Sequence, residues 1–164
     1  MSKLFFSVDV HGAESVWRKW LKMPEYHGVD ALLLCGDLTG KSLVPIIDEG
    51  DGTHRAFYFG KNWTLSSGSE VEEMEQRIDD AGAYALRCDR DRVAELQDNP
   101  SQVESLMMGM IRDRIAKWME MLIDQVDLSK VDVIVMPGND DDWEIDDVIK
   151  SYRDRGITWC LDGP

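Results

Sequence analysis

Three short apolar runs punctuate the chain, and each stops on a polar loop that contains glycine. Leu4 to Val8 ends on DVHG, Ala31 to Cys35 ends on GDLTG, and Val131 to Met136 ends on PGND. Apolar runs of this length, closed by turn residues, predict buried strands of a mostly parallel sheet with helical crossovers. Such sheets bind ligands at the carboxyl ends of their strands, so the three loops are expected to converge on one site.

Helical periodicity fills the intervals. Val16, Trp17, Trp20 and Leu21 recur at helical spacing and predict a crossover helix closed by Pro24. HRAFYF and NWTL, around Gly60-Lys61, predict a β-hairpin inserted after the second crossover begins. A helix is expected from Glu70 to about Ala81, and a shorter one around Asp91 to Gln97. From Ser101 to about Val126 an apolar stripe at i, i+3 and i+4 predicts the principal helix against the sheet, its methionines acting as core filler. After PGND a helix from Trp143 to Tyr152 should lead into a short strand, Ile157 to Cys160. The LDGP ending carries a turn signal that ordinarily introduces another strand. The expectation is one domain, 1–164, incomplete at the carboxyl end.

Composition narrows the class. With 43% hydrophobic and 30% charged residues among 164, the chain has the balance of a folded domain rather than a disordered one. Its 18 basic and 32 acidic residues give a net charge of -14, which opposes nonspecific binding to nucleic acid or to an anionic membrane. A phosphate-bearing substrate would need local cations. Cys35, Cys88 and Cys160 have no CxxC spacing and leave one over if two pair, which points to reduced thiols in a cytoplasmic protein. The apolar start is interrupted by Asp9 and is too short for a signal peptide or a membrane span.

The chemistry lies in the three loops. Asp9 and His11 are two apart, so on an extended backbone their side chains point to one side and can share a divalent cation. Asp37 adds a carboxylate able to bridge two ions, and Asn139 an amide oxygen. Oxygen donors with one imidazole suit Mn, Fe or Zn. Neither GxGxxG nor GxxxxGK[ST] follows the first strand, so a nucleotide-binding α/β protein has little support.

DVHG, CGDLTG and PGND, in this order at strand ends, resemble the first three blocks of the calcineurin-like metallophosphoesterase superfamily. The resemblance implies an α/β fold, a layered sheet-and-helix sandwich whose carboxyl-terminal half of the sheet is missing here. It implies a centre of two divalent metal ions held by Asp9, His11, Asp37 and Asn139, with Asp37 as the bridge. The implied activity is hydrolysis of a phosphomonoester or phosphodiester by metal-held hydroxide attacking phosphorus in line.

Two departures qualify the resemblance. Asp140 stands where most of the superfamily has a catalytic His, and an ionised carboxylate is a poor proton donor at neutral pH. The family's later His and Gly-His-x-His blocks have no match, since no His follows His54. The chain therefore reads as an amino-terminal portion of a phosphoesterase, completed by self-association or a partner chain, or as a degenerate, noncatalytic interaction or regulatory module. Elsewhere plainer roles are expected. Asp141 and Asp142, with Glu144, should begin the next helix as a capping box. His27 and His54 should be surface residues, and Glu70, Glu72, Glu73 and Glu75 a solvated helix face. Thr39, Gly40 and Lys41 follow Asp37 and could approach a phosphate.

Overall fold

The computed structural model describes residues 2–159 and arranges them as an α/β fold with two sheets. β1 (Leu4–Ser7), α1 (Glu14–Leu21), α2 (Met23–His27) and β2 (Ala31–Cys35) come first. β3 (Leu43–Asp48), β4 (His54–Tyr58), β5 (Lys61–Leu65), α3 (Gly68–Asp80) and β6 (Tyr84–Asp89) follow. The chain continues through α4 (Arg90–Asp98), α5 (Pro100–Gln125), β7 (Asp132–Met136), α6 (Asp146–Lys150) and β8 (Ile157–Trp159).

The first sheet has the order β1-β2-β7-β8, and every neighbouring pair is parallel. Because β2 lies between β1 and β7, the loops after these three strands emerge side by side, as the apolar pattern predicts. Among the described residues one face of the sheet is buried and the other is partly open. Leu32, Leu34, Val133 and Val135 are buried on the inner face, whereas Leu4 and Phe6 on the outer face are 58% and 56% exposed. The apolar run of β1 therefore marks a half-covered edge strand rather than a strand buried on both sides.

Tryptophan packing fixes the helices on the inner face. Trp17 of α1 stacks on Trp118 of α5, centroids 4.8 Å apart and planes 6° off parallel, and on Trp20 at 5.0 Å. Stacked, fully buried rings of this size dominate a core energetically. Ile115, Met119 and Leu122 continue the buried stripe of α5, while its first turns are half-buried.

The hairpin belongs to a second sheet, not to a crossover of the first. Its order is β5-β4-β3-β6, with β3 antiparallel to β4 and parallel to β6. β3 contains Pro45, which argues against a central strand. The ladder to β4 begins only at Ile46, so the proline takes no place in it. Val71, Met74 and Ile78 of α3 pack with Val44, Ile46, Ala56 and Leu65 to form this sheet's own core.

Local differences from the pattern have local causes. Pro24 does not close α1; it sits in the first turn of α2, where its missing N–H costs nothing, and Gly28 ends that helix in the left-handed region. The segment 143–152 is a 3-10 turn over Trp143–Ile145 followed by α6, not one helix. His54 is half-buried in β4, with Nδ1 shielded and unpartnered among the described residues. Glu75 is not merely solvated, since it pairs with Arg87 at 2.5 Å. Cys160 and the LDGP turn lie outside the described residues. Among the described residues no helix is long and apolar enough to cross a membrane.

Candidate metal centre

Beyond their last paired residues the first two strands continue as two loops bonded to each other. The Asp9 N–H donates to the Gly36 carbonyl at 3.2 Å, that of His11 to Asp37 at 2.8 Å, and that of Gly12 to Leu38 at 2.8 Å. The Gly36 N–H donates in turn to Met136 at 2.9 Å, joining the third loop.

This loop pairing bends the backbone away from the extended form expected for Asp9 and His11. Asp9, His11 and Asp37 have φ values of +59°, +45° and +48°. Such conformations are uncommon for residues other than glycine, and three at one place are a local store of strain. The side chains nevertheless converge, with one ligating atom from each of Asp9, His11 and Asp37 within 4.8 Å of the others. Adjacent ligands around a Zn or Mn ion keep roughly 3–4 Å, so small side-chain movements suffice for all three to share a cation. Two carboxylates and one imidazole are a donor set that fits Mn, Fe or Zn.

The third loop is pressed against Asp37. A Cβ on Gly138 would lie 2.3 Å from both the Asp37 nitrogen and Oδ1, so only glycine allows this approach. The Asp140 N–H donates to Asp37 Oδ1 at 3.2 Å. Asn139 is exposed and lies in sequence between these two contact residues. Asp140 is not part of the converging group. Its carbonyl accepts from Lys41 Nζ and its carboxylate lies 3.7 Å from that amine.

Asp141 overturns the capping expectation. Its carboxylate accepts from the N–H groups of Leu38 and Thr39 at 2.9 Å, of Gly138 at 2.8 Å, and from Thr39 Oγ1 at 2.7 Å. It ties the GDLTG loop to the PGND loop. Asp142 does cap, accepting from the Glu144 N–H at 3.0 Å. Thr39 is thereby buried and engaged, and Lys41 is the member of the Thr39-Gly40-Lys41 stretch left exposed near the cluster.

Buried ion pairs hold the loop from behind. Arg114, 8% exposed, donates to the carbonyls of Gly12 at 3.0 Å and Ala83 at 2.9 Å, pairs with Asp79, and lies 4.0 Å over the Tyr84 ring. Burial pushes the Asp79 carboxyl up against the pull of Arg114. Glu14, fully buried just after the DVHG loop, accepts from Lys117 at 2.6 Å and from Arg18. Burial works against its charge, but these hydrogen bonds together outweigh it and hold the carboxyl below its ordinary range. Nothing in the residue pattern marked Arg114 or Glu14, because their partners come from other elements.

A cleft of about 300 Å³ opens beside the cluster, lined by His11, Lys41, Tyr58 and Phe59 together with Gly40 and Gly82. A larger one of about 680 Å³ lies at the amino-terminal end of the first sheet, around Gly28, Asp30, Asp127 and Val131, away from the converging ligands. Chemically, the site offers a cation position at strand ends, an exposed lysine paired with Asp140, and an adjoining cleft. Comparison of the chain with protein-family models, with curated proteins and with solved structures finds no match.

Proposed function

We propose that the chain is a metal-dependent hydrolase of phosphoric esters, of the calcineurin-like metallophosphoesterase type in its amino-terminal blocks. One observation carries this reading: Asp9, His11 and Asp37 converge from two loops, all three at positive φ, a conformation uncommon for residues other than glycine. Strain concentrated on three metal-ligating side chains supports a role set by a ligand rather than by folding. Asn139 is the proposed further oxygen donor, and Asp37 the proposed bridge between two divalent cations, Mn, Fe or Zn. The same reading takes the two-sheet fold as the layered sandwich of that superfamily.

When bound, such ions supply Lewis acidity toward phosphoryl oxygens and activation of water. The chain's own groups do the remaining work. The Asp140 N–H orients the Asp37 carboxylate. Lys41, positioned by Asp140, offers positive charge to the phosphate of the ester. Asp140 thus acts through Lys41 instead of donating a proton.

A second reading has its own support. Three ligating groups are enough for one cation. This supports a noncatalytic metal-binding module that serves as an interaction or regulatory domain. Metal analysis and Mn-dependent hydrolysis of bis(4-nitrophenyl) phosphate separate the two. Turnover that falls about 100-fold in Asp37→Asn and drops in Asn139→Ala supports the hydrolase. Metal binding without turnover selects the module, and activity unchanged in both variants contradicts the site.

A further inference from the structure

The β4–β5 hairpin turns on two residues, Phe59 and Gly60, since Tyr58 pairs with Lys61. Both turn residues have positive φ, +50° and +70°. That is the geometry of a two-residue turn whose favoured sequence is Asn-Gly. A bulky aromatic at its first position is an outlier with a free-energy cost. Packing offsets little of it, because Phe59 is 81% exposed and meets the neighbouring Tyr58 ring at 4.4 Å. Strain retained at an exposed ring points to a residue kept for a ligand.

Position supplies the second, independent observation. Phe59 and Tyr58 line the 300 Å³ cleft together with Lys41 and with His11, itself a member of the converging ligand group. The volume is at the lower end of small-ligand pockets, roughly 300–1,000 Å³. Its floor is backbone: a Cβ on Gly40 would come within 1.7 Å of the Gly82 carbonyl, and one on Gly82 within 2.1 Å of the His11 carbonyl. Both positions therefore require glycine and present no side chain to the cleft, and the Phe59 and Tyr58 rings are its aromatic surface. With a net charge of -14, an anionic ligand needs a local cation, and Lys41 provides it at the cluster end.

We infer that this cleft seats the planar aromatic group of a phosphoester, such as a nucleobase, with Phe59 as the stacking platform and Lys41 and the neighbouring ligand cluster holding the phosphate. The inference rests on the reading of that cluster as a phosphoester centre. A phosphate lacking a planar group would leave the Phe59 ring in water, whereas a planar group covers it. Base–aromatic stacking tolerates many bases, so the cleft selects for planarity rather than for one hydrogen-bond pattern.

The test is calorimetric titration of the full chain, Mn-loaded and metal-stripped, with adenosine 5′-monophosphate, ribose 5-phosphate and phenyl phosphate. Adenosine 5′-monophosphate is expected to bind on the order of 10-fold more tightly than ribose 5-phosphate. Phe59→Asn, which suits the turn and so preserves folding, should bring the two within about 2-fold. Phe59→Tyr should keep the preference. Phenyl phosphate siding with the nucleotide supports selection for planarity; phenyl phosphate siding with the sugar phosphate overturns it. Equal affinities in the unaltered chain, a preference that persists in Phe59→Asn, or no binding at millimolar concentration overturns the inference. A Phe59-dependent preference in a chain that takes up no Mn keeps the cleft and removes the metal reading. Mn uptake without any such preference does the reverse.

Discussion

Asp9, His11 and Asp37 keep positive φ within hydrogen bonds between the first two loops, and Asp141 ties the second of these loops to the third. One carboxylate receives hydrogen bonds from Leu38, Thr39 and Gly138 across two loops. Asp141→Ala leaves those N–H groups without their acceptor, so chemical denaturation should show a loss of roughly 2–4 kcal/mol. Metal affinity should fall with it, since Asp37 loses the support of Gly138 and Asp140. Phe59 runs the other way. Asn tolerates positive φ better than Phe, so Phe59→Asn should stabilise the fold by about 1 kcal/mol while removing the exposed ring. A destabilised variant would mean that the ring is a packing element after all.

At the scale of elements, α1 is held at its start by a buried acid. The Glu14 carboxyl is depressed below its ordinary value of 4.5 by Lys117 and Arg18 in spite of burial. A depressed acid contributes stability that is present above its unfolded pKa and lost as pH falls through the folded one. Thermal midpoints should therefore decline below about pH 4.5, and Glu14→Gln should flatten that acid limb while lowering the midpoint at pH 7. An unchanged acid limb would remove Glu14 from the account. Elements were readable where periodicity is local. The helices over 68–80, 90–98 and 100–125 fall within one or two residues of the pattern, because their apolar stripes recur at helical spacing. β3 and β6 were not readable: Pro45 interrupts one, and Arg87 and Asp89 give the other a polar end that tertiary pairing with β3 overrides. The ligand candidates were visible as residue types at strand ends. Their backbone conformation was not, since it is imposed by hydrogen bonds between loops 26 or 27 residues apart. The same holds for Asp141, whose acceptor role depends on residues about a hundred positions away.

At the scale of the molecule, the fold brings a few special groups to one sheet end within a strongly acidic surface. On the proposed reading, phosphoester recognition would be local, through a bound cation and Lys41, because a net charge of -14 opposes long-range attraction of anions. A cation that binds only the folded chain also stabilises it. Mn at 100 times its dissociation constant should raise the thermal midpoint by about 5–10 °C, and Asp37→Asn should abolish the shift. The claim on which the account turns is that Asp9, His11 and Asp37 hold a divalent cation. Calorimetric titration of the metal-stripped chain with Mn tests it directly. The account requires saturable binding that weakens at least 10-fold in each of Asp9→Asn, His11→Ala and Asp37→Asn, with the fold retained. Absence of saturable binding, or binding unchanged in all three variants, would contradict it.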